Sequence, residues 1–135
     1  RSTLFPYTTL FRSGRRVESR GFLFAAPFAL RMGIPLVLVR KKGKLPGDKY
    51  TCAYSLEYGQ AEIEAHKSDI EKGKRYLIVD DLIATGGTLQ ASRSLIEQGG
   101  GIVSDFFGVI GLSDLHYREA LEPIRVTTLI DYHGA

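Results

Sequence analysis

From Gly21 onward, apolar positions fall into two alternating kinds of segment, helix-like and strand-like. Phe22 to Met32 is Ala-rich and apolar, and it stops at Gly33 with Pro35 just beyond, which predicts a helix with a glycine C-cap. Leu36 to Val39 is short and wholly apolar, the pattern of a strand buried on both faces. Arg40 to Asp48 holds three Gly or Pro positions among five charged residues and reads as an exposed loop. Tyr50 to Tyr58 and Ala61 to His66 are extended segments joined around Gly59, a hairpin arm. After a charged turn at Glu71 to Lys74 comes a second buried strand, Tyr76 to Val79. Thr88 to Gln98 is an amphipathic helix with Leu89, Leu95 and Ile96 on one side, ended by Gly99, Gly100 and Gly101. A strand at Ile102 to Ile110, a short helix at Leu115 to Leu121 and a strand at Val126 to Ile130 complete the order. Strands alternating with helices imply right-handed crossovers, so the expected fold is one α/β domain with a mostly parallel central sheet flanked by helices.

Residues 1–13 break this rhythm. They show no clean helical or alternating period, match no signal or transit peptide, and resemble the conceptual translation of a DNA-sequencing adapter. The expected division is an irregular or foreign head over 1–16 and a core domain over 17–135; the alternative is a native strand ending at Ser13. With 44% apolar and 24% charged residues, the chain is globular rather than disordered. No apolar run approaches the ~20 residues needed to cross a bilayer, so no membrane partner is expected. The net charge of +3 is concentrated in two clusters, Arg12, Arg15, Arg16 and Arg20, then Arg40, Lys41, Lys42 and Lys44. Such clusters suit an anionic partner or a solvated basic face, and composition does not choose between them. Cys52 is the only cysteine, which excludes an internal disulfide and favours a reducing, cytoplasmic setting.

The chemistry is concentrated in Leu77-Ile78-Val79-Asp80-Asp81-Leu82-Ile83-Ala84-Thr85-Gly86-Gly87-Thr88. A buried strand delivers two adjacent acids at its C-terminal end, where open α/β sheets bind ligands. The two glycines let the backbone curl so that N–H groups converge, the threonines add hydroxyl donors, and the following helix contributes its positive end. Ala84, Thr85, Gly86, Gly87 and Thr88 thus form an expected cradle for a phosphate monoester, with Asp80 and Asp81 beside it as acceptors for vicinal hydroxyls. A sugar phosphate is the implied ligand. The string is neither a Walker A loop nor a GxGxxG fingerprint.

That string resembles the phosphoribosyl pyrophosphate signature of the type I phosphoribosyltransferases, and adenine phosphoribosyltransferase is the family it is most similar to. Three more segments carry the likeness. Glu18-Ser19-Arg20-Gly21-Phe22 resembles the pyrophosphate loop, Arg40-Lys41-Lys42-Gly43-Lys44-Leu45-Pro46-Gly47 the active-site loop, and Tyr54-Ser55-Leu56-Glu57-Tyr58-Gly59 the proton-transfer arm. The resemblance implies the type I fold and transfer of ribose 5-phosphate from phosphoribosyl pyrophosphate to adenine N9, giving AMP and pyrophosphate. It implies Ser19, Arg20, Arg40, Lys41 and Lys44 around the pyrophosphate, with Arg20 and Lys44 catalytic and a cis peptide between Glu18 and Ser19. It implies Glu57 as general acid/base at adenine N7 with Tyr58 packed beside it. Mg²⁺ is expected to ride mainly on the substrate, without an all-protein metal site. A homodimer is a further family implication, and the helix Phe22 to Met32 offers a contact face. Glu62 and Glu64 fall on the opposite alternation phase from Glu57 and read as surface charges. The tyrosines of the arm read as its framework rather than as a platform for nucleic-acid bases, so no nucleic-acid partner is expected.

Two features depart from the family pattern. Gly14, Arg15 and Arg16 stand where an apolar strand is expected to enter the pyrophosphate loop. A base-clamping N-terminal hood, roughly fifty residues by usual domain size, is expected to be missing, which would leave this chain weakly active or inactive. Competing readings are an oxopurine phosphoribosyltransferase and a non-enzymatic purine-sensing regulator of the same fold. The Leu56-Glu57-Tyr58 arm and the lysine-bearing loop argue against both.

Overall fold

The computed structural model describes residues 7–10, 21–43, 45–56 and 59–134. Its strands are Tyr7–Leu10 (β1), Leu36–Leu38 (β2), Arg40–Lys41 (β3), Lys49–Leu56 (β4), Gly59–His66 (β5), Arg75–Ile83 (β6), Ile102–Leu112 (β7) and Arg125–Tyr132 (β8). Phe22–Met32 (α1), Gly87–Gln98 (α2) and the single turn Tyr117–Ala120 (α3) are its α-helices. A sheet in the order β2-β1-β6-β7-β8 is parallel throughout, and a smaller sheet, β3-β5-β4, is antiparallel. The smaller sheet contains the hairpin arm, with Tyr54 opposite Ala61 and Leu56 opposite Gly59.

Alternation along β6 explains how the sheet is covered on both faces. Tyr76 and Ile78 point into the main core with Leu89, Leu95 and Ile96 of α2 and Ile63 and Ala65 of β5. Leu77 and Val79 point the other way, toward Ala25 of α1. Helix α1 ends as its glycine requires. Gly33 sits at φ +67°, its N–H donates to Leu30 O, and the N–H of Ile34 donates to Ala29 O, the paired bonds of a Schellman cap. Among the described side chains of α1, Ala25 and Ala29 are buried, while Leu23, Phe24, Phe28, Leu30 and Met32 are exposed.

Within the head, Tyr7–Leu10 pairs with Leu36–Leu38 on one side and with Tyr76–Val79 on the other. Four residues are too few to show a period, yet Tyr-Thr-Thr-Leu is rich in aromatic and β-branched residues that fit a pleated surface. The predicted loop after Val39 is shorter than expected, because Arg40 and Lys41 pair with Glu64 and Ile63. The predicted short helix divides into a 3₁₀ turn, Ser113–Leu115, and α3.

Glu64 corrects the reading of a surface charge: it is fully buried. Ile63 and Ala65 face the core as alternation demands, but the segment Leu45–Pro46 folds across the other face of β5. There Glu64 Oε1 accepts the Leu45 N–H at 3.1 Å, and Oε2 lies 3.0 Å from Lys49 Nζ. Lys49 Nζ in turn donates to Leu45 O at 2.8 Å, and His66 Nε2 donates to Pro46 O at 2.7 Å. The carboxylate therefore pins the end of the basic loop to the arm. Glu62 pairs with Lys42 at 2.9 Å nearer the surface. Replacing Glu64 by Leu leaves the Leu45 N–H unsatisfied and Lys49 without its counter-charge, an expected loss of about 3 kcal/mol. Thermal unfolding followed by circular dichroism should show a Tm lower by roughly 10 °C; an unchanged Tm would mean that the pin contributes nothing.

Candidate active site

The strand order places a switch point between β1 and β6. From β1 the chain runs through α1 to β2 on one side, and from β6 it runs through α2 to β7 on the other. Parallel sheets of this kind bind ligands in the crevice beyond the strand ends at such a point. The loop Ala84–Gly86 leaves from it, because β6 runs directly into that loop.

A cavity of about 120 Å³ opens here, lined by Asp80, Leu82, Ile83 and the run Ala84 to Leu89. Gly86, the N-cap of α2, adopts φ +89°, a conformation that side chains rarely tolerate. Its carbonyl accepts the Gln90 N–H at 3.0 Å to start the helix, and the Gly87 N–H reaches Thr85 Oγ1 at 3.4 Å. Helix α2 is twelve residues long, with no acidic residue in its first turn, so its positive end faces the cavity without a side-chain counter-charge in that turn. Asp80 is 2% exposed and forms part of the cavity wall. Its Oδ1 accepts the N–H of Asp81 at 2.8 Å. The phosphate-cradle residues and Asp80 are thus brought together around one space. Asp81 is half-buried, next in the strand, and does not line that space.

One residue at this site was not singled out as a ligand in the sequence. Tyr54, on β4, shares a side-chain hydrogen bond with Thr88 and lies near enough to Asp80 to feel its charge. Burial pushes the Tyr54 hydroxyl above its ordinary pKa, and the Asp80 carboxylate adds to that shift, while the bond to Thr88 opposes it. The arm is therefore tied near its turn to the start of α2. A polar tyrosine on the arm's alternating face was the available signal, but its partner lies 34 positions further along the chain.

Arg40 and Lys41 are half-buried on β3, in the smaller sheet, and do not line the cavity. Ser19, Arg20, Lys44, Glu57 and Tyr58 lie outside the described residues, as does the Glu18–Ser19 peptide. The histidines have local partners: His66 has Pro46 O and Asp69, His116 has Glu119, and His133 has Asp114. Among the described residues no three His, Cys, Asp or Glu side chains converge as a metal site, and no helix is long and apolar enough to cross a membrane. A larger cavity, about 370 Å³, lies between α1 and the sheet, lined mainly by apolar residues including Phe24, Phe28, Leu77 and Val79. It offers little to hold a phosphate.

Comparison with known proteins agrees with this geometry. The family described as "Phosphoribosyl transferase domain" matches residues 17–103. The adenine phosphoribosyltransferase of Treponema pallidum is 62% identical over 117 residues, covering 87% of this chain and 62% of the relative. That of Treponema denticola is 60% identical over 116 residues, covering 86% and 61%. The chain therefore spans about three-fifths of the length of these relatives. Among solved structures, the adenine phosphoribosyltransferase of Thermoanaerobacter pseudethanolicus superposes with a TM-score of 0.87 at 41% identity, covering 95% of this chain and 71% of that one. The Saccharomyces cerevisiae enzyme, crystallised with an imino-altritol bisphosphate and adenine, gives 0.84 at 39% identity, covering 93% and 67%. With its sheet switch point, its β6–loop–α2 cradle and a family match over most of its length, the chain belongs to the phosphoribosyltransferase family and has the type I fold.

Proposed function

We propose that the protein is an adenine phosphoribosyltransferase of purine salvage, and that this chain supplies the half of the site that holds the ribose 5-phosphate. The observation that carries the reading is the buried Asp80 in the wall of a cavity otherwise built from the β6–α2 loop. In this reading the amides of Ala84 to Thr88 and the threonine hydroxyls hold the 5′-phosphate. Asp80 accepts from a ribose hydroxyl, and Asp81 from the second hydroxyl as the donor settles into the crevice. The names of the relatives support adenine over an oxopurine, and support an enzyme over a regulator.

The reaction requires the bond from the sugar carbon to pyrophosphate to loosen before adenine N9 arrives. Positive charge then builds on the ribose, and negative charge on the leaving group. Arg20 and Lys44 would stabilise the departing pyrophosphate, with Ser19, Arg40 and Lys41 positioning it. Arg suits this as a planar fork, and Lys as a mobile point charge. Glu57, beside Tyr58, would exchange a proton with adenine N7. Mg²⁺ fits as a passenger of the substrate: Asp80 and Asp81 offer carboxylates near the crevice, but no described trio of side chains would hold the ion alone. When bound, it would neutralise pyrophosphate charge. The exposed apolar residues of α1 support a homodimer contact, and the single cysteine supports a reducing, cytoplasmic setting.

Isothermal titration of this chain with ribose 5-phosphate tests the reading directly. Saturable binding that is lost in Asp80→Asn is the expected result; no heat of binding to a folded chain would overturn it. For the base, a version extended to the length of its relatives should use adenine ahead of hypoxanthine and guanine, and preference for either oxopurine would overturn the adenine assignment.

A further inference from the structure

We propose that Leu121, braced by Tyr117, Arg118 and Asp131, is a positioning residue for the anion loop Ala84–Thr88. The inference rests on the sugar-phosphate reading of that loop, and assigns a function to a segment far from it in sequence. The loop has a weakness that its composition makes unavoidable. Gly86 must hold φ +89° without a side chain of its own to lock it, and glycine gives up such a conformation at little cost. Something outside the loop has to hold it.

Leu121 occupies that place. It is 1% exposed, and a Cβ built on Gly86 would sit 3.2 Å from its Cγ and 3.4 Å from each of its two methyl carbons. The whole branched end of the leucine therefore backs Gly86. A second tie runs in parallel: Gln90 donates its backbone N–H to Gly86 O and its side-chain amide to Ala120 O. The end of α3 thus meets the loop at two points.

What fixes α3 is a polar cluster on β8. The hydroxyl of the fully buried Tyr117 donates to Asp131 Oδ1. Arg118 Nη2 lies 3.1 Å from Asp131 Oδ2 and 3.2 Å from Thr128 Oγ1, and Nη1 donates to Val126 O. Both oxygens of Asp131 are engaged, and three positions of β8 hold one turn of helix. Rigidity passes from β8 through α3 to Leu121 and from there to Gly86. An ordinary core leucine would stabilise the fold evenly; a positioning residue affects one loop more than the rest.

The test uses the 135-residue chain with Leu121→Ala, the volume-conserving Leu121→Met, and Tyr117→Phe, which removes only the hydroxyl. Amide hydrogen exchange by NMR without ligand, and titration with ribose 5-phosphate and with pyrophosphate, are measured where circular dichroism shows each variant folded. Leu121→Ala should accelerate exchange at Gly86, Gly87 and Thr88 by about tenfold over the change elsewhere, and weaken ribose 5-phosphate by about tenfold through lost preorganisation. Pyrophosphate binding should not change, Leu121→Met should restore the loop, and Tyr117→Phe should give a smaller effect of the same kind. Equal acceleration at all amides, or none in the loop, overturns the proposal, as does failure of Leu121→Met to restore it. If Leu121→Ala does not fold, Tyr117→Phe decides by the same criterion. If the parent chain takes up no ribose 5-phosphate, the sugar-phosphate reading falls, and the ligand-free exchange still decides whether Leu121 holds the loop.

Discussion

Gly86→Val should bind ribose 5-phosphate at least about a hundredfold more weakly than the parent chain, the sum of backbone strain and lost charged hydrogen bonds. Valine at φ +89° is a severe outlier, because a branched Cβ meets its own backbone there. Strain of this kind costs on the order of 1–3 kcal/mol. Its Cβ would also arrive 3.2 Å from Leu121 Cγ, so the loop or the leucine must give way. Either movement turns amides away from the phosphate, and each hydrogen bond to a charged group is worth about 1.5–3 kcal/mol. Gly73→Val provides the control. Gly73 has a similar φ, +79°, with nothing near its missing Cβ, and lies in the turn just before β6, away from the cavity. It should lower stability and leave calorimetric affinity unchanged. Equal affinity for Gly86→Val and the parent would remove the loop from the binding site.

The sequence made most elements and the loop between β6 and α2 legible for one reason: each is a contiguous signal. The run Leu77 to Thr88 shows strand, acids, glycines and helix start in unbroken order, and the fold keeps that order at the switch point. Helix α1 was legible to its last residue because Gly33 is both the end of an apolar run and the αL cap. What the sequence hid depends on contacts across the chain. Glu64 alternates with core residues and so reads as outward-facing, but Leu45 and Pro46 return to cover that face. Tyr54 reaches Thr88, and Leu121 reaches Gly86, over more than thirty positions in each case. Adjacent acids read as an equivalent pair, and their places along the strand give them different surroundings, Asp80 buried and Asp81 half-buried. In the structure only Asp80 lines the cavity. Strand β1 was hidden by its length, since four residues carry propensity but no period.

In a version extended to the length of its relatives, Glu57→Gln should lower kcat for AMP formation by about 10²- to 10⁴-fold, the usual contribution of a general acid or base. Affinity for phosphoribosyl pyrophosphate should stay within about twofold, because a proton acceptor for the base makes no contribution to holding the sugar phosphate. Glutamine keeps the size and the carbonyl of the side chain and removes only the ability to exchange a proton. Glu57 lies outside the described residues and follows Tyr54 by three positions in the sequence. Tyr54 is bonded to Thr88 at the edge of the cradle, and the arm beneath it is fixed in register from Lys49–His66 to Leu56–Gly59. In the proposed reaction the carboxylate of Glu57 serves the base, and the β6–α2 loop serves the phosphate. The split between kcat and affinity follows from that separation. Loss of phosphoribosyl pyrophosphate binding in Glu57→Gln would assign the residue to the donor site instead, and an unchanged kcat would mean that the proton at N7 comes from another group.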